Sequence, residues 1–172
     1  MLILIKILKK ILTVLNSNAT PAQIGWGVVL GSFIGLAPFF CLHKFIILLL
    51  IIFLNVNMGA AFLSVLVFSI VGALTDPLAH KIGYALLVNT NALTGLWTKL
   101  YNMPVVPFTK FYNTIITGSF VIALILILPV FFAAKKFVIY YRKHLMQKVQ
   151  NWKLMKMFKL TSFYKIYSGF SE

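Results

Sequence analysis

The sequence predicts an all-α fold: a polytopic transmembrane bundle of about four crossings, with broken or re-entrant helices and amphipathic interfacial helices at both ends. Three observations predict it. Hydrophobic residues make up 61% of the chain. Charged residues make up 10%, against about 25% in ordinary soluble domains. The basic residues flank long apolar spans. A soluble domain of 172 residues could not hide so much apolar surface, and a bilayer is the solvent that asks it to hide the least. The expected division is an amphipathic helix over 1–18, a membrane domain over 19–134 and a basic cytoplasmic tail over 135–172.

The first element is the run MLILIKILKKILTVLN. Lys6, Lys9, Lys10, Thr13 and Ser17 recur at helical spacing and leave Leu and Ile on the opposite face, which suits a helix lying in the headgroup plane. A helix packed on the domain is the other reading. The lysines sit inside the apolar run and no small-residue cleavage site follows, unlike a secretory signal.

The second element opens at NSNATPAQIGWG. Thr20 is a natural N-cap, Pro21 the first helical residue and Gln23 the capping-box partner. From Pro21 to Asn55 the chain is almost wholly apolar, and at 1.5 Å per residue a straight helix of that length would reach about 51 Å. The hydrocarbon core is only about 30 Å thick. The segment must therefore be broken, strongly tilted or folded back as a hairpin, and Gly35, Pro38 and the pair His43-Lys44 mark the break. Gly27, Gly31 and Gly35 fall on one stripe that lets another helix approach closely. Two readings of that stripe stand: packing alone, or a half-helix beside a polar cavity.

Asn55-Val56-Asn57 reads as a turn with Asn57 an N-cap. Met58 to Leu74 is long enough to cross. Thr75-Asp76-Pro77 repeats the cap grammar, with Asp76 at the cap and Pro77 first in a further helix from Leu78 to Leu96. Residues 97–113, with Pro104 and Pro107 among aromatics, read as an interfacial loop. Thr114 to Ala134 is the cleanest span. The basic, aromatic tail suits a surface-bound segment that meets anionic lipid.

Of 16 Lys and Arg, three lie in the first helix and nine in the tail, so the positive-inside rule puts both ends in the cytoplasm. These cations flank apolar spans, which points to anionic membrane lipids as partners and away from nucleic acid. A homo-oligomer or a membrane-protein partner is compatible with the glycine stripe. The single cysteine, Cys41, excludes an intramolecular disulfide and any cysteine metal cluster. No GxSxG, P-loop, HExxH, CxxC or carboxylate pair is present, so neither an enzyme nor a cofactor nor a metal is expected.

The ionisable residues inside apolar surroundings are the candidate polar site: His43, Lys44, Asp76, His80 and Lys81. Lys44 lies about 17 Å from the Asn55 turn along a regular helix, near mid-membrane, where a lysine is costly unless paired or wetted. Snorkelling to an interface is the bland alternative. Asp76 is the only acid besides Glu172. Its depth differs from that of Lys44 by about 11 Å in straight helices, so its expected partners are His80 and Lys81 first and Lys44 second, the latter only with a bend near Gly72. G-L-A-P-F-F-C-L-H-K (35–44) and G-A-L-T-D-P-L-A-H-K (72–81) resemble each other loosely, a glycine and proline followed by His-Lys. Paired discontinuities of this kind occur in transporter folds. Chance is the alternative.

Pro21, Gly31, Gly35, Pro38, Asn57, Asp76-Pro77 and Gly83, in that order, resemble a bacterial inner-membrane family catalogued as domain of unknown function 2062. The likeness covers about residues 19–134 and is closest to a branch whose second motif reads Asp-Pro and which carries an Asn-Thr segment such as FYNTIITGSF before its last span. The resemblance implies a polytopic inner-membrane protein. Related domains joined to glycosyltransferases hint at envelope lipid or sugar work. Two functions follow as expectations: a protein that handles or moves an amphiphilic or anionic, envelope lipid-linked substrate, or a non-catalytic scaffold or assembly factor that recruits partners through its tail.

Overall fold

A computed structural model describes residues 2–38 and 40–147, with the side chains of all of these except 2–6 and 9. They form α1 (Leu2–Leu15), α2 (Pro21–Leu36), α3 (Leu42–Phe53), α4 (Met58–Leu87), α5 (Thr94–Tyr101) and α6 (Thr114–Tyr140). Two 3-10 turns, Asn91–Leu93 and Val106–Thr109, flank α5, and a π-helical turn, Tyr141–Leu145, extends α6. No strand occurs among the described residues.

The caps explain most of the boundaries. At α2 the capping box is complete: the Gln23 N–H donates to Thr20 Oγ1 at 3.2 Å and the Thr20 N–H donates to Gln23 Oε1 at 2.7 Å. Asn57 Oδ1 accepts from the Ala60 N–H at 2.8 Å and starts α4. Asn113 Oδ1 accepts from the Ile115 and Ile116 N–H groups at 3.0 and 3.1 Å and starts α6. Helix α2 stops because Pro38 disfavours helical backbone at the residue before it, and Ala37 is extended at φ −85°, ψ 127°.

The chain from Pro21 to Phe53 is a folded-back hairpin. Helix α2 has 16 residues and α3 has 12, or about 24 and 18 Å. Both ends of the hairpin meet the start of α4: the Asn57 N–H donates to the Gln23 carbonyl at 3.1 Å, and Val56 packs with Ile47 and Ile51 of α3. Helix α4 then runs parallel to α2, since Gly27 meets Asn57 and Ala60 while Gly35 meets Val65 and Phe68. Helix α6 returns antiparallel, with Gly118 against Ala79 near its start and Val138 beside Ala60 near its end.

Asp76-Pro77 does not begin a new helix. The spans expected over 58–75 and 78–95 are joined in one 30-residue helix, Met58–Leu87, with Pro77 inside it. An aspartate before proline fits a helix start. Here packing on α2 and α6 holds residues before and after the proline in one rod, and the Thr75 hydroxyl donates to the Val71 and Gly72 carbonyls at 3.0 and 3.2 Å. Helix α4 also ends at Leu87 rather than near Leu96, and residues 97–101 of the expected loop lie in α5. Helices α4 and α6 with its extension, Met58–Leu87 and Thr114–Leu145, are long and apolar enough to cross a membrane. Among the described residues two helices pass that test, where four spans were expected: the first expected span folds back as α2 and α3, and the second and third join in α4.

The boundary expected at 134 falls inside α6, which runs on through Lys135 and Lys136. The expected tail beyond residue 147, with its interfacial helix, lies outside the described residues.

Candidate functional site

The break between α2 and α3 organises the site. Lys44 lies in the first turn of α3, and its ammonium donates to the Ala37 carbonyl at the end of α2. A helix C-terminus carries partial negative charge and unpaired carbonyls, so the cation closes the helix it follows by seven residues. His43, beside it, places its ring edge-on to Phe120 of α6 at 5.6 Å between centroids. Its Nε2 lies 3.4 Å from Cys41 Sγ. Pro38 is exposed at the tip of the hairpin.

A cavity of about 410 Å³ opens next to His43. Phe111, Phe120, Leu124 and Trp97 give it an apolar wall; His43, Thr109 and Thr117 give it polar atoms. The segment over it is tied down at two places: Trp97 Nε1 donates to the Leu86 carbonyl at 3.1 Å, and the Thr117 hydroxyl donates to the Phe111 carbonyl. Ligand pockets of about 300–1,000 Å³, mostly apolar with a few placed polar groups, are the ordinary kind.

The predicted residues separate into three places. Gly27, Gly31 and Gly35 face α4. A Cβ on Gly27 would stand 2.6 Å from the Asn57 carbonyl oxygen, one on Gly35 2.8 Å from Phe68 Cβ, and one on Gly31 would overlap the Ala61 carbonyl. The stripe is thus a packing surface rather than a cavity wall. Gly72 carries the contact onward, since its Cβ would stand 2.8 Å from the Leu36 carbonyl oxygen. Asp76 follows on the same face of α4. None of the pairings expected for it is formed among the described residues: no ion pair joins it to His80, Lys81 or Lys44, and its buried Oδ1 has no hydrogen-bond partner. The physical reason lies in the competing partners. Lys44 is held by the end of α2, His80 Nδ1 lies 2.7 Å from Thr114 Oγ1 of α6, and Lys81 is exposed. Pro77 lies mid-helix and marks no break.

A second polar cluster escaped the sequence reading. Arg142, in the π-helical turn, donates from Nε to the Leu15 carbonyl at 3.0 Å and from one terminal nitrogen to the Ser17 and Ala19 carbonyls, each at 2.8 Å. Asn16 Nδ2 donates to the Tyr141 hydroxyl at 3.3 Å, and Asn57 Nδ2 to Ser17 Oγ at 3.2 Å. These bonds lock the end of α1 to the start of α4 and the end of α6. In sequence Arg142 is one of many cations, and nothing local separates it from Lys143. The π-turn that aims it across the bundle is a tertiary feature, of a kind often found at functional positions.

Fewer than three His, Cys, Asp or Glu side chains converge anywhere among the described residues, so these offer no cluster for a transition metal. The arrangement can hold an apolar chain beside an imidazole, and it can present carbonyl and carboxylate oxygens at the end of α2.

Comparison with known proteins agrees with the family resemblance. A protein of Treponema pallidum (strain Nichols), described as "Uncharacterized protein", is 28% identical over 138 residues, which is 80% of this chain and 84% of that protein. No solved structure matches. The family described as "Uncharacterized protein conserved in bacteria (DUF2062)" matches residues 6–147, which takes in α1 from Lys6 on and the Arg142 turn, beyond the 19–134 expected from the motifs. The chain belongs to that family.

Proposed function

We propose that this is an integral protein of the bacterial inner membrane that holds the hydrocarbon part of an amphiphile in the cavity beside His43. The observation that carries the reading is the cavity itself: about 410 Å³, walled by aromatic and aliphatic side chains, with one imidazole at its edge. Membrane residence is supported by the two long apolar helices, whose most apolar windows are each only 22% buried inside the protein. Leu74 is 78% exposed and Ile125 68%, which suits lipid and not water. The end of the bundle that gathers Asn57, Leu15 and Arg142 also carries Lys10 and Lys143, and the positive-inside rule places it in the cytoplasm. The net formal charge of +14 favours anionic headgroups. The reading assigns no catalysis. Recruitment of partners through the basic tail draws on residues 135–172, of which 148–172 lie outside the described residues.

Purification of the full chain in nanodiscs, followed by native mass spectrometry of retained lipid, tests the reading. The expected result is one lipid class enriched over the bulk composition and displaced when Leu124→Trp fills the cavity. Retained lipid that mirrors the bulk in both proteins overturns it.

A further inference from the structure

The far end of α2 meets α4 in a place rich in oxygen acceptors. A Cβ built on Gly72 lies 2.8 Å from the Leu36 carbonyl oxygen and 3.1 Å from that of Gly35. Asp76 stands one turn later on the same face. Residues four apart on a helix have Cβ atoms about 5–6 Å from each other, and helical side chains lean toward the N-terminus. The carboxylate therefore leans back toward those two carbonyls. Its Oδ1 is buried and accepts no hydrogen bond. Pro77 has no N–H, so α4 leaves the Ala73 carbonyl without its usual partner one turn earlier. The Thr75 hydroxyl is already given to the Val71 and Gly72 carbonyls, and the Lys44 ammonium to that of Ala37.

We propose that Asp76 and the terminal carbonyls of α2 form a binding site for a hard monovalent inorganic cation such as sodium. The ligand class follows from the donor set. Every candidate ligand atom is an oxygen, which selects a hard cation over a transition metal. There is a single carboxylate at the site, so one monovalent cation neutralises it and a divalent one would leave excess positive charge. The C-terminal end of a half-helix supplies the partial negative charge that such ions meet in interrupted-helix membrane proteins. The site lies apart from the His43 cavity and does not depend on what that cavity holds.

The test measures the thermal unfolding midpoint of the full chain in nanodiscs of neutral lipid, in sodium, potassium or N-methylglucamine chloride at equal ionic strength. The wild type is expected to gain about 2–4 °C at saturating sodium over N-methylglucamine, with a saturable dependence. Asp76→Asn should abolish the gain, and Lys44→Ala should keep it. Should Asp76→Asn not fold, Asp76→Glu, which moves the charge by one methylene, should raise the half-saturating sodium concentration at least about tenfold, a loss of roughly 1.4 kcal/mol. Equal wild-type midpoints in all three salts overturn the proposal, as does a sodium gain that survives Asp76→Asn. A salt-independent loss of stability shared by Asp76→Asn and Lys44→Ala, non-additive in the double variant, also overturns it and assigns Asp76 to Lys44 instead.

Discussion

Two cations in this protein are defined by the backbone carbonyls they meet rather than by acids. Lys44 closes α2 at Ala37, and Arg142 closes α1 at Leu15, Ser17 and Ala19. With one acid before Glu172, helix C-termini are the negative groups most available to them. Arg142→Ala is expected to destabilise the end of α1 by about 1.5–3 kcal/mol, the range for hydrogen bonds to a charged group. Hydrogen exchange of amides 15–20 would show faster opening. Arg142→Lys should recover less than half of the loss, because a point charge cannot serve three carbonyls in the fixed fork of a guanidinium. Lys44→Met should cost about 1–3 kcal/mol, the penalty of an unpaired carbonyl, read as a lower midpoint in chemical denaturation. Lys44→Arg should restore most of it. The sequence marked Lys44 as needing a polar partner, and it has one. It did not mark Arg142, because the residues that distinguish it lie more than 120 positions away.

Helix contacts here rest on small residues placed where backbones cross. Gly31 meets Ala61, Gly83 meets Thr114 and Gly118 meets Ala79, in each case with a built Cβ inside the van der Waals distance of a backbone carbonyl. The Ser64 hydroxyl adds a cross-helix bond to the Val28 carbonyl at 2.6 Å. Such approaches gain dispersion contacts and interhelical hydrogen bonds without requiring water to be expelled. Gly31→Val and Gly118→Val should each cost at least about 3 kcal/mol, the upper part of the overpacking range, because no flexible side chain can yield. Gly95→Ala is the control: a Cβ there meets nothing within 4 Å, so the change should stabilise α5 by up to about 1 kcal/mol from helix propensity. Thermal midpoints of the three variants check the contrast. The stripe on α2 was legible because its period is regular. Its partners Ala61, Ser64 and Phe68, and the second seam through Ala79, Gly83 and Gly118, follow no such run of glycines.

At the scale of the molecule, the hairpin of α2 and α3 sets the path of the chain. Helix α2 enters, α3 returns, α4 goes the full length and α6 comes back, so the end of α1 and the end of α6 meet at Arg142. An even number of traverses was expected from the charge distribution; among the described residues two helices, α4 and α6 with its extension, are long and apolar enough to cross a membrane. In a Cys41→Ala background, single cysteines at Ser17 and Lys143 should label from one side of the membrane, and at Tyr101 and Tyr112 from the other. Labelling of all four from one side would rule out the α4–α6 traverse. A cysteine at Pro38 should label poorly from the side of Ser17, because the hairpin tip lies about 24 Å along α2 from its start.

By itself the sequence determined the all-helical class, the caps at Thr20 and Asn57, the impossibility of one straight helix from Pro21 to Asn55 and the break near Pro38. These are local properties: length against rise, proline against the preceding residue, side-chain oxygens against free N–H groups. Only the tertiary structure decided that the broken segment folds back, that Asp76-Pro77 stays inside α4, that Lys44 turns to Ala37 rather than to Asp76, and that a cavity forms beside His43 and Phe120. Each of those outcomes is a competition between partners brought together from distant parts of the chain, and the winner depends on where the helices cross, which no local pattern encodes.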